Sequence, residues 1–181
     1  MLVKIHGTSG AGKTTAVREL MKLGEVFKLG RVARPDAYRI DIPKEDYIFV
    51  LGSYENDCGG MDTISRVEDQ IRLIHHYARM GHVVYEGLLL STYLGVLAEE
   101  TNRYSGTHIY AFLDTPVEEC IRRVKARRES VGNYKEFNEK GTRDKYTTIQ
   151  RLKRRAEQRG YRTAMIYHDK PLGPQILELL R

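Results

Sequence analysis

A chain of 181 residues with 41% hydrophobic content is the right size to bury the core of one globular domain. No stretch approaches the roughly 20 apolar residues that span a bilayer, and two cysteines are too few for a disulfide framework. Composition therefore argues against a membrane-spanning or disulfide-stabilised protein. We expect a single domain over residues 1–181 that is cytoplasmic and has no membrane partner.

The formal net charge of +6 is unevenly distributed along the chain. Residues 121–165 hold fifteen Lys and Arg against five Asp and Glu, a net charge of +10, so the remaining residues sum to −4. One explanation is a solvated helix surface with long cationic side chains. The other is an electropositive surface that binds phosphates, including those of a polyanion such as nucleic acid.

Hydrophobic patterning predicts strands that alternate with helices. The strands are expected at residues 2–6, 47–51, 83–85, 108–113 and 162–167. Apolar residues at helical spacing predict helices at residues 13–23, 64–80, 89–103, 116–128, 143–159 and 172–180. Residues 24–46 are expected to be irregular apart from short strands at 26–29 and 38–42. Residues 130–142 are polar with two glycines, which predicts a mobile loop.

This alternation predicts an α/β fold with a mostly parallel sheet covered by helices on both faces. Ligands of such sheets bind at the carboxyl ends of the strands. Four chemically informative features each follow a predicted strand: Gly7 onward, residues 52–62, Glu86 and Asp114. We therefore expect them to meet at one edge of the sheet.

The segment Gly7-Thr8-Ser9-Gly10-Ala11-Gly12-Lys13-Thr14 fits the pattern G-x-x-x-x-G-K-[ST] between a predicted strand and a predicted helix. Its glycines allow backbone N–H groups to turn toward phosphate oxygens. Lys13 would place a cation near the β- and γ-phosphates of ATP, and the Thr14 hydroxyl would contact Mg²⁺. The residues expected to bind the nucleotide are Gly7, Ser9, Gly10, Ala11, Gly12, Lys13, Thr14 and Thr15. A glycine-rich turn without a ligand is the alternative.

Glu86 follows the apolar run Val83-Val84-Tyr85 at the end of a predicted strand. A carboxylate there, adjacent to the phosphate-binding loop at residues 7–14 (the P-loop), could orient metal-bound water or bind the molecule that accepts a phosphoryl group. Packing alone explains such a carboxylate poorly, so we predict a catalytic role. The alternative is a cap for the helix that follows.

The segment at residues 52–62 is predicted to bind the acceptor. Gly59 and Gly60 permit close approach of backbone to a ligand, and Tyr54 offers an aromatic face for stacking. Asp62 is placed to accept a hydroxyl proton as a catalytic base, with an N-cap of the next helix as an equally weighted alternative. Asp41 is the reserve candidate for the base.

Arg123 and Arg127 are four residues apart on a predicted helix and share one face. Arginines aimed at a transferring phosphoryl group stabilise its charge without exchanging a proton. A solvated helix surface explains Arg122 and Arg128 better than it explains this pair.

Taken together, these motifs resemble the nucleoside and nucleotide kinase group of P-loop proteins. The P-loop, the strand-end Glu86 and Leu113-Asp114-Thr115-Pro116 leading to Arg123 and Arg127 occur in that group's order, over most of the chain. The resemblance implies a three-layer α/β/α P-loop kinase fold and ATP with Mg²⁺ as donor. It also implies an arginine-rich lid at about residues 122–143 and an adenine-contacting loop at residues 168–171.

A closer likeness is to phage-type P-loop kinases that carry a Tyr54…Cys58-Gly59-Gly60-x-Asp62 loop and Val84-Tyr85-Glu86-Gly87-Leu88-Leu89. They include the 5-hydroxymethyluracil DNA kinases, which phosphorylate a base hydroxymethyl group within DNA. This resemblance implies transfer of the γ-phosphoryl group of ATP to DNA, in the cytoplasm of a phage-infected host cell. A free nucleoside or nucleotide kinase and a P-loop ATPase switch without an acceptor remain alternatives.

Overall fold

The computed structural model describes residues 1–56, 59–87, 108–134 and 136–181. Within these ranges the chain forms seven strands: β1 (Leu2–His6), β2 (Glu25–Gly30), β3 (Pro35–Asp41), β4 (Ile48–Leu51), β5 (His82–Glu86), β6 (His108–Leu113) and β7 (Arg162–Ile166). The α-helices in these ranges are α1 (Lys13–Met21), α2 (Val67–Ala78), α3 (Val117–Ser130), α4 (Glu139–Gln158) and α5 (Leu172–Leu179). None of these helices is long and apolar enough to cross a bilayer. The helix predicted over residues 89–103 lies outside the described residues.

The seven strands form one mixed sheet in the order β2-β3-β4-β5-β1-β6-β7. β1 is an interior strand that pairs in parallel with β5 and β6, and all five of its residues are buried. Burial on both faces explains why the central strands appear in the sequence as continuous apolar runs. The parallel pairings bring the carboxyl ends of β4, β5, β1, β6 and β7 to one edge.

Helices pack on both faces of the sheet. α1 and α5 bury one face with Val3 and Ile5 of β1. α2 covers part of the opposite face through Ile74, and α4 covers another part through Ile149 and Leu152. The α/β class and the location of these strands and helices are therefore as predicted.

The sequence predicts that residues 24–46 are irregular apart from short strands at 26–29 and 38–42. Both strands are present, as β2 and β3, but they form a regular antiparallel hairpin, and β3 pairs antiparallel with β4. Five of the six β2 residues are exposed, so the strand lacks the apolar alternation that signals a buried face. Its regularity comes from hydrogen-bonded pairing with β3, which the pattern of side chains does not indicate.

Two boundaries also differ from prediction. α2 begins at Val67 rather than residue 64, because Met61–Thr63 form a 3₁₀ turn before it. α4 begins at Glu139 rather than residue 143, so residues 139–142, predicted as the end of a mobile loop, are helical. The region predicted as an arginine-rich lid consists of the second half of α3, a connecting segment and the first residues of α4. Its movement as a lid remains a prediction.

Candidate active site

A cavity of about 780 Å³ opens at the edge where the parallel strands end. Residues of the P-loop, the 52–62 segment, β5, α3 and the segment before α5 line it. The lining includes Lys13, Thr14, Arg18, Asp62, Glu86, Arg123, Arg127, His168 and Lys170. Its volume falls in the range of small-ligand sites, roughly 300–1,000 Å³.

The P-loop connects β1 to the N-terminus of α1, as its motif requires. Gly10 and Gly12 adopt left-handed φ angles of 81° and 103°, and a Cβ at Gly10 would collide with the carbonyl oxygen of Cys120. Thr115 Oγ1 donates to the carbonyl of Ala11 at 2.7 Å, and Lys13 Nζ donates to the carbonyl of Thr8 at 3.2 Å. The loop thus has the glycine geometry and the local cation of an anion-binding turn.

Glu86 lies directly against the P-loop. Thr14 Oγ1 donates to Glu86 Oε1 at 2.9 Å, and Glu86 is only 2% exposed. Burial raises the pKa of the Glu86 carboxyl, and the nearby Lys13 charge and the Thr14 hydrogen bond partly offset this effect. A hydroxyl beside a single carboxylate is a suitable protein contribution to Mg²⁺, which keeps several waters and is otherwise held by substrate phosphates.

The acceptor loop (described as residues 52–56 and 59–62) curves back toward Glu86. Ser53 and Gly60 form an isolated antiparallel bridge. Gly60 has φ 87° and ψ −164°, and a Cβ there would lie 2.7 Å from the carboxyl carbon of Glu86. Only glycine fits this combination of backbone conformation and contact. Gly59 lines the cavity, whereas Cys58 lies outside the described residues.

Tyr54 is not positioned as a stacking surface. The residue is 6% exposed, and its ring packs edge-on against Tyr38 with a centroid distance of 6.0 Å. Burial, reinforced by the charge of Glu86, raises the pKa of the Tyr54 hydroxyl well above its usual value. The structure thus places Tyr54 in the core beneath the site, and the predicted stacking face is covered.

Asp62 lies on the 3₁₀ turn, is exposed and lines the cavity. A Cβ at Gly87 would lie 3.0 Å from Asp62 Oδ1, so this carboxylate reaches the end of β5 next to Glu86. The N-cap alternative is wrong, because Arg66 occupies the N-cap position of α2. Asp41 is also wrong as a reserve base: it ends antiparallel β3 at the opposite edge of the sheet and pairs with Arg39 at 2.8 Å.

The α3 arginines approach the P-loop from one side. A Cβ at Gly12 would lie 3.6 Å from an Arg123 guanidinium nitrogen, and Arg123 Nε donates to Glu119 at 2.6 Å. Arg127 lines the same wall one helical turn later. Arg122 is exposed, pairs with Glu119 and is absent from the lining, as predicted.

Comparison with known proteins identifies the family. The family described as 5-hmdU DNA kinase matches residues 35–164. A 5-hmdU DNA kinase of Pseudomonas phage PaMx11 is 34% identical over 70% of this chain and 69% of its own length. One from Pseudomonas phage M6 is 29% identical over 85% of this chain and 84% of its own length. The chain belongs to the 5-hmdU DNA kinase family.

The range matched by the family contains several of the residues that line the cavity. Residues 35–164 contain the acceptor loop, Glu86, Arg123 and Arg127. The segment Gly7–Thr14 precedes this range, so its interpretation as a P-loop remains a prediction from its motif and its geometry. The segment at residues 168–171 follows the range, and it is held by Asp114, whose Oδ1 accepts from the backbone N and Nδ1 of His168 at 2.7 and 2.8 Å.

Sequence reasoning missed one cationic residue that lines the cavity and one buried lysine whose pKa is affected by the charge of Asp62. Arg18 on α1 lines the cavity and donates to the carbonyls of Tyr54 and Asn56 at 3.1 and 2.6 Å, which fixes the acceptor loop. Lys4 on β1 is fully buried, and burial lowers its pKa to about 7, against the opposing effect of the Asp62 charge. For Lys4 the available signal was a lysine within an apolar-rich strand. For Arg18 the sequence contained no such signal.

Proposed function

We propose that this protein is an ATP-dependent kinase that transfers the γ-phosphoryl group to the hydroxymethyl oxygen of 5-hydroxymethyluracil in DNA. One observation carries the proposal: Lys13, the hydrogen-bonded pair Thr14–Glu86, and Asp62 all open on one cavity. A phosphate-binding loop and an exposed carboxylate beside an open space are the parts that phosphoryl transfer to a hydroxyl requires. The acceptor follows from the family, whose relatives are named for 5-hmdU DNA.

The donor would be bound by the P-loop. Backbone N–H groups of Gly10, Ala11 and Gly12 and the N-terminus of α1 favour phosphate oxygens, and Lys13 adds a positive charge. Thr14 and Glu86 would hold Mg²⁺, which supplies further positive charge to the phosphates when bound. Lys170 and His168 also line the cavity, and the nucleoside portion of ATP would lie against them.

The transfer is an in-line displacement at the γ-phosphorus. The hydroxymethyl oxygen forms a bond to that phosphorus while the bond to the β–γ bridging oxygen breaks and ADP leaves. Asp62 receives the hydroxyl proton, because its exposed carboxylate lines the same cavity as the P-loop. Arg123 and Arg127 supply positive charge to the transferring group from α3.

The acceptor is tested with radiolabelled ATP and four acceptors: DNA containing 5-hydroxymethyluracil, the same DNA with thymine, the free nucleoside and its mononucleotide. We expect label in the 5-hydroxymethyluracil DNA and none in the thymine DNA. Preferential labelling of the nucleoside or mononucleotide would establish a small-acceptor kinase instead. ADP formation that is independent of every acceptor would indicate an ATPase switch.

A further inference from the structure

The tip of the β2–β3 hairpin, residues 31–34, lies at the same edge of the sheet as the cavity. Because β3 runs antiparallel to β4, the tip and the carboxyl end of β4 are on the same side. Gly52, which opens the acceptor loop, donates its backbone N–H to the carbonyl of Asp36 at 2.8 Å. β2 is two strands away from β4, which is about 10 Å at the usual spacing between strands.

Hydrogen bonds join the hairpin to the acceptor loop. Arg34 donates to the backbone carbonyl of Thr63, and Thr63 Oγ1 donates to the carbonyl of Gly60 at 2.7 Å. Further back, Lys28 pairs with Glu55 at 2.5 Å. These contacts hold the hairpin and the acceptor loop in a fixed position relative to each other. A ligand bound at the tip would therefore lie at a fixed distance from the cavity.

The tip itself has the chemistry of a nucleic-acid contact. Arg31 and Arg34 are exposed and flank Val32, which is 81% exposed. Residues 31–34 contain no acidic side chain, and Arg31 has no ion pair within the described part of the chain. The carboxylate of Asp36 lies beneath the tip, next to Gly30. An apolar side chain this exposed contributes little to the core, whereas cations that flank an apolar tip suit phosphates and base faces.

We infer that this hairpin tip binds the DNA strand beside the acceptor base; the inference rests on the proposed function. A base must leave its stack to enter the cavity, which brings the adjoining backbone to the rim. Because the tip joins β2 and β3, it lies roughly 5–10 Å from β4, which corresponds to about two to three nucleotides at 3.4 Å each. Arg31 contacts a backbone phosphate at that distance from the acceptor base, and Val32 packs against a base face there.

The test compares two matched double variants. Arg31→Ala/Val32→Ala removes a cation and an apolar side chain from the tip but keeps Arg34, which also holds Thr63. The control variant, Lys44→Ala/Met80→Ala, also removes one cation and one apolar side chain, but at the edge of the sheet opposite the cavity. There Lys44 is exposed and Met80 is 49% exposed. Melting temperatures establish that both variants are folded. KM and kcat are then measured with ATP and with a long and a trinucleotide 5-hydroxymethyluracil acceptor.

We expect the tip variant to raise KM for the long acceptor about tenfold, with kcat and KM for ATP near wild type. The trinucleotide is too short to reach the tip, so its KM should not change. The slope of log affinity against log salt should fall by about 0.7 to 0.9, the value for one phosphate contact. The control variant should match wild type in all of these quantities.

An unchanged KM and salt slope in the tip variant, or equal losses in the control variant, would overturn the inference. Neither result would contradict the proposed function, because the wild-type protein would still phosphorylate DNA. Failure of the wild-type protein to phosphorylate any DNA would instead overturn the proposed function. The two failures are therefore distinguishable in one set of assays.

Discussion

Two carboxylates face the cavity from different environments, and this difference separates their roles. Asp62 is exposed on a short turn, whereas Glu86 is buried and bonded to the P-loop hydroxyl of Thr14. An exposed carboxylate can approach an acceptor that arrives from solvent. A buried one with a fixed partner suits a metal-bound donor.

Asp62→Asn should reduce phosphoryl transfer by about two to four orders of magnitude, the usual contribution of a general base. ATP affinity should stay near wild type, because the residue acts on the acceptor. Single-turnover transfer and equilibrium ATP binding measure the two effects separately. Asp69→Asn, on the exposed side of α2, is the matched control. A collapse of ATP affinity would place Asp62 in the donor site or in the fold.

Glu86→Gln should abolish most transfer without destabilising the protein. The raised pKa of Glu86 means that the folded state holds this proton more tightly than the unfolded state. Stability contributed by the protonated form is lost as pH rises, so the charged carboxylate costs stability at neutral pH. Gln keeps an acceptor for Thr14 and removes that cost. We expect at least about a hundredfold less transfer and an equal or higher Tm. A lower Tm at neutral pH would contradict this account of Glu86.

Lys4→Met should raise Tm in a manner that depends on pH. The pKa of Lys4 is lowered by burial to about 7 from 10.5, so the folded state gives up this proton earlier than the unfolded state. The cost of the buried charge is therefore full below pH 7 and disappears as pH rises toward 10.5. Thermal unfolding of the variant and wild type across that range should show a difference that shrinks with pH. A constant difference would mean that titration of Lys4 does not contribute.

At the scale of elements, the acceptor loop depends on one glycine. Gly60→Ala should lower the stability by about 1–3 kcal/mol and reduce transfer at least tenfold, because a Cβ would strain the backbone and press on Glu86. Gly160→Ala is the matched control: its φ is also positive, at 69°, but a Cβ there meets no atom within 4 Å. Chemical denaturation and transfer assays compare the pair. Equal transfer rates in the two variants would mean that the close contact between Gly60 and Glu86 is not required for transfer.

The elements predicted correctly are those with local signals. The P-loop is a contiguous motif, and β1, β4 and β6 are contiguous apolar runs, so sequence alone located them. β2 and β3 are held by pairing with each other and with β4, and Tyr54 is buried by Tyr38, sixteen residues earlier in the chain. Such contacts leave no local periodicity. This explains why the sequence indicated the two short strands but not their regular pairing, and why it predicted a stacking role for Tyr54.

At the scale of the whole molecule, two groups among the basic residues of 121–165 lie at different distances from the cavity. Arg123 and Arg127 line the cavity. Lys153, Arg154 and Arg155 lie toward the far end of α4, about 17 Å along the helix from Thr142, whose carbonyl bonds Thr8 of the P-loop. The sequence predicted the charge excess, but only the fold shows that these three cations are far from the chemistry.

Replacing Lys153, Arg154 and Arg155 by Gln tests whether extended DNA also covers this end of α4. We expect weaker DNA binding and a salt slope reduced by about two to three, with ATP binding nearly intact. Affinities measured at several salt concentrations give the slope. An unchanged slope would identify these cations as a solvated helix surface. Undetectable binding of DNA to the wild-type protein at low salt would favour a small acceptor.

We propose that the P-loop delivers the γ-phosphoryl group of ATP to a base in DNA. Mass spectrometry of the nucleosides released from 5-hydroxymethyluracil DNA after incubation with ATP, for wild type and Lys13→Ala, tests this transfer. We expect a phosphorylated 5-hydroxymethyl nucleoside in amounts equal to the ADP formed, reduced at least about a hundredfold in the variant. ADP formation without a phosphorylated base, or equal product from Lys13→Ala, would contradict it.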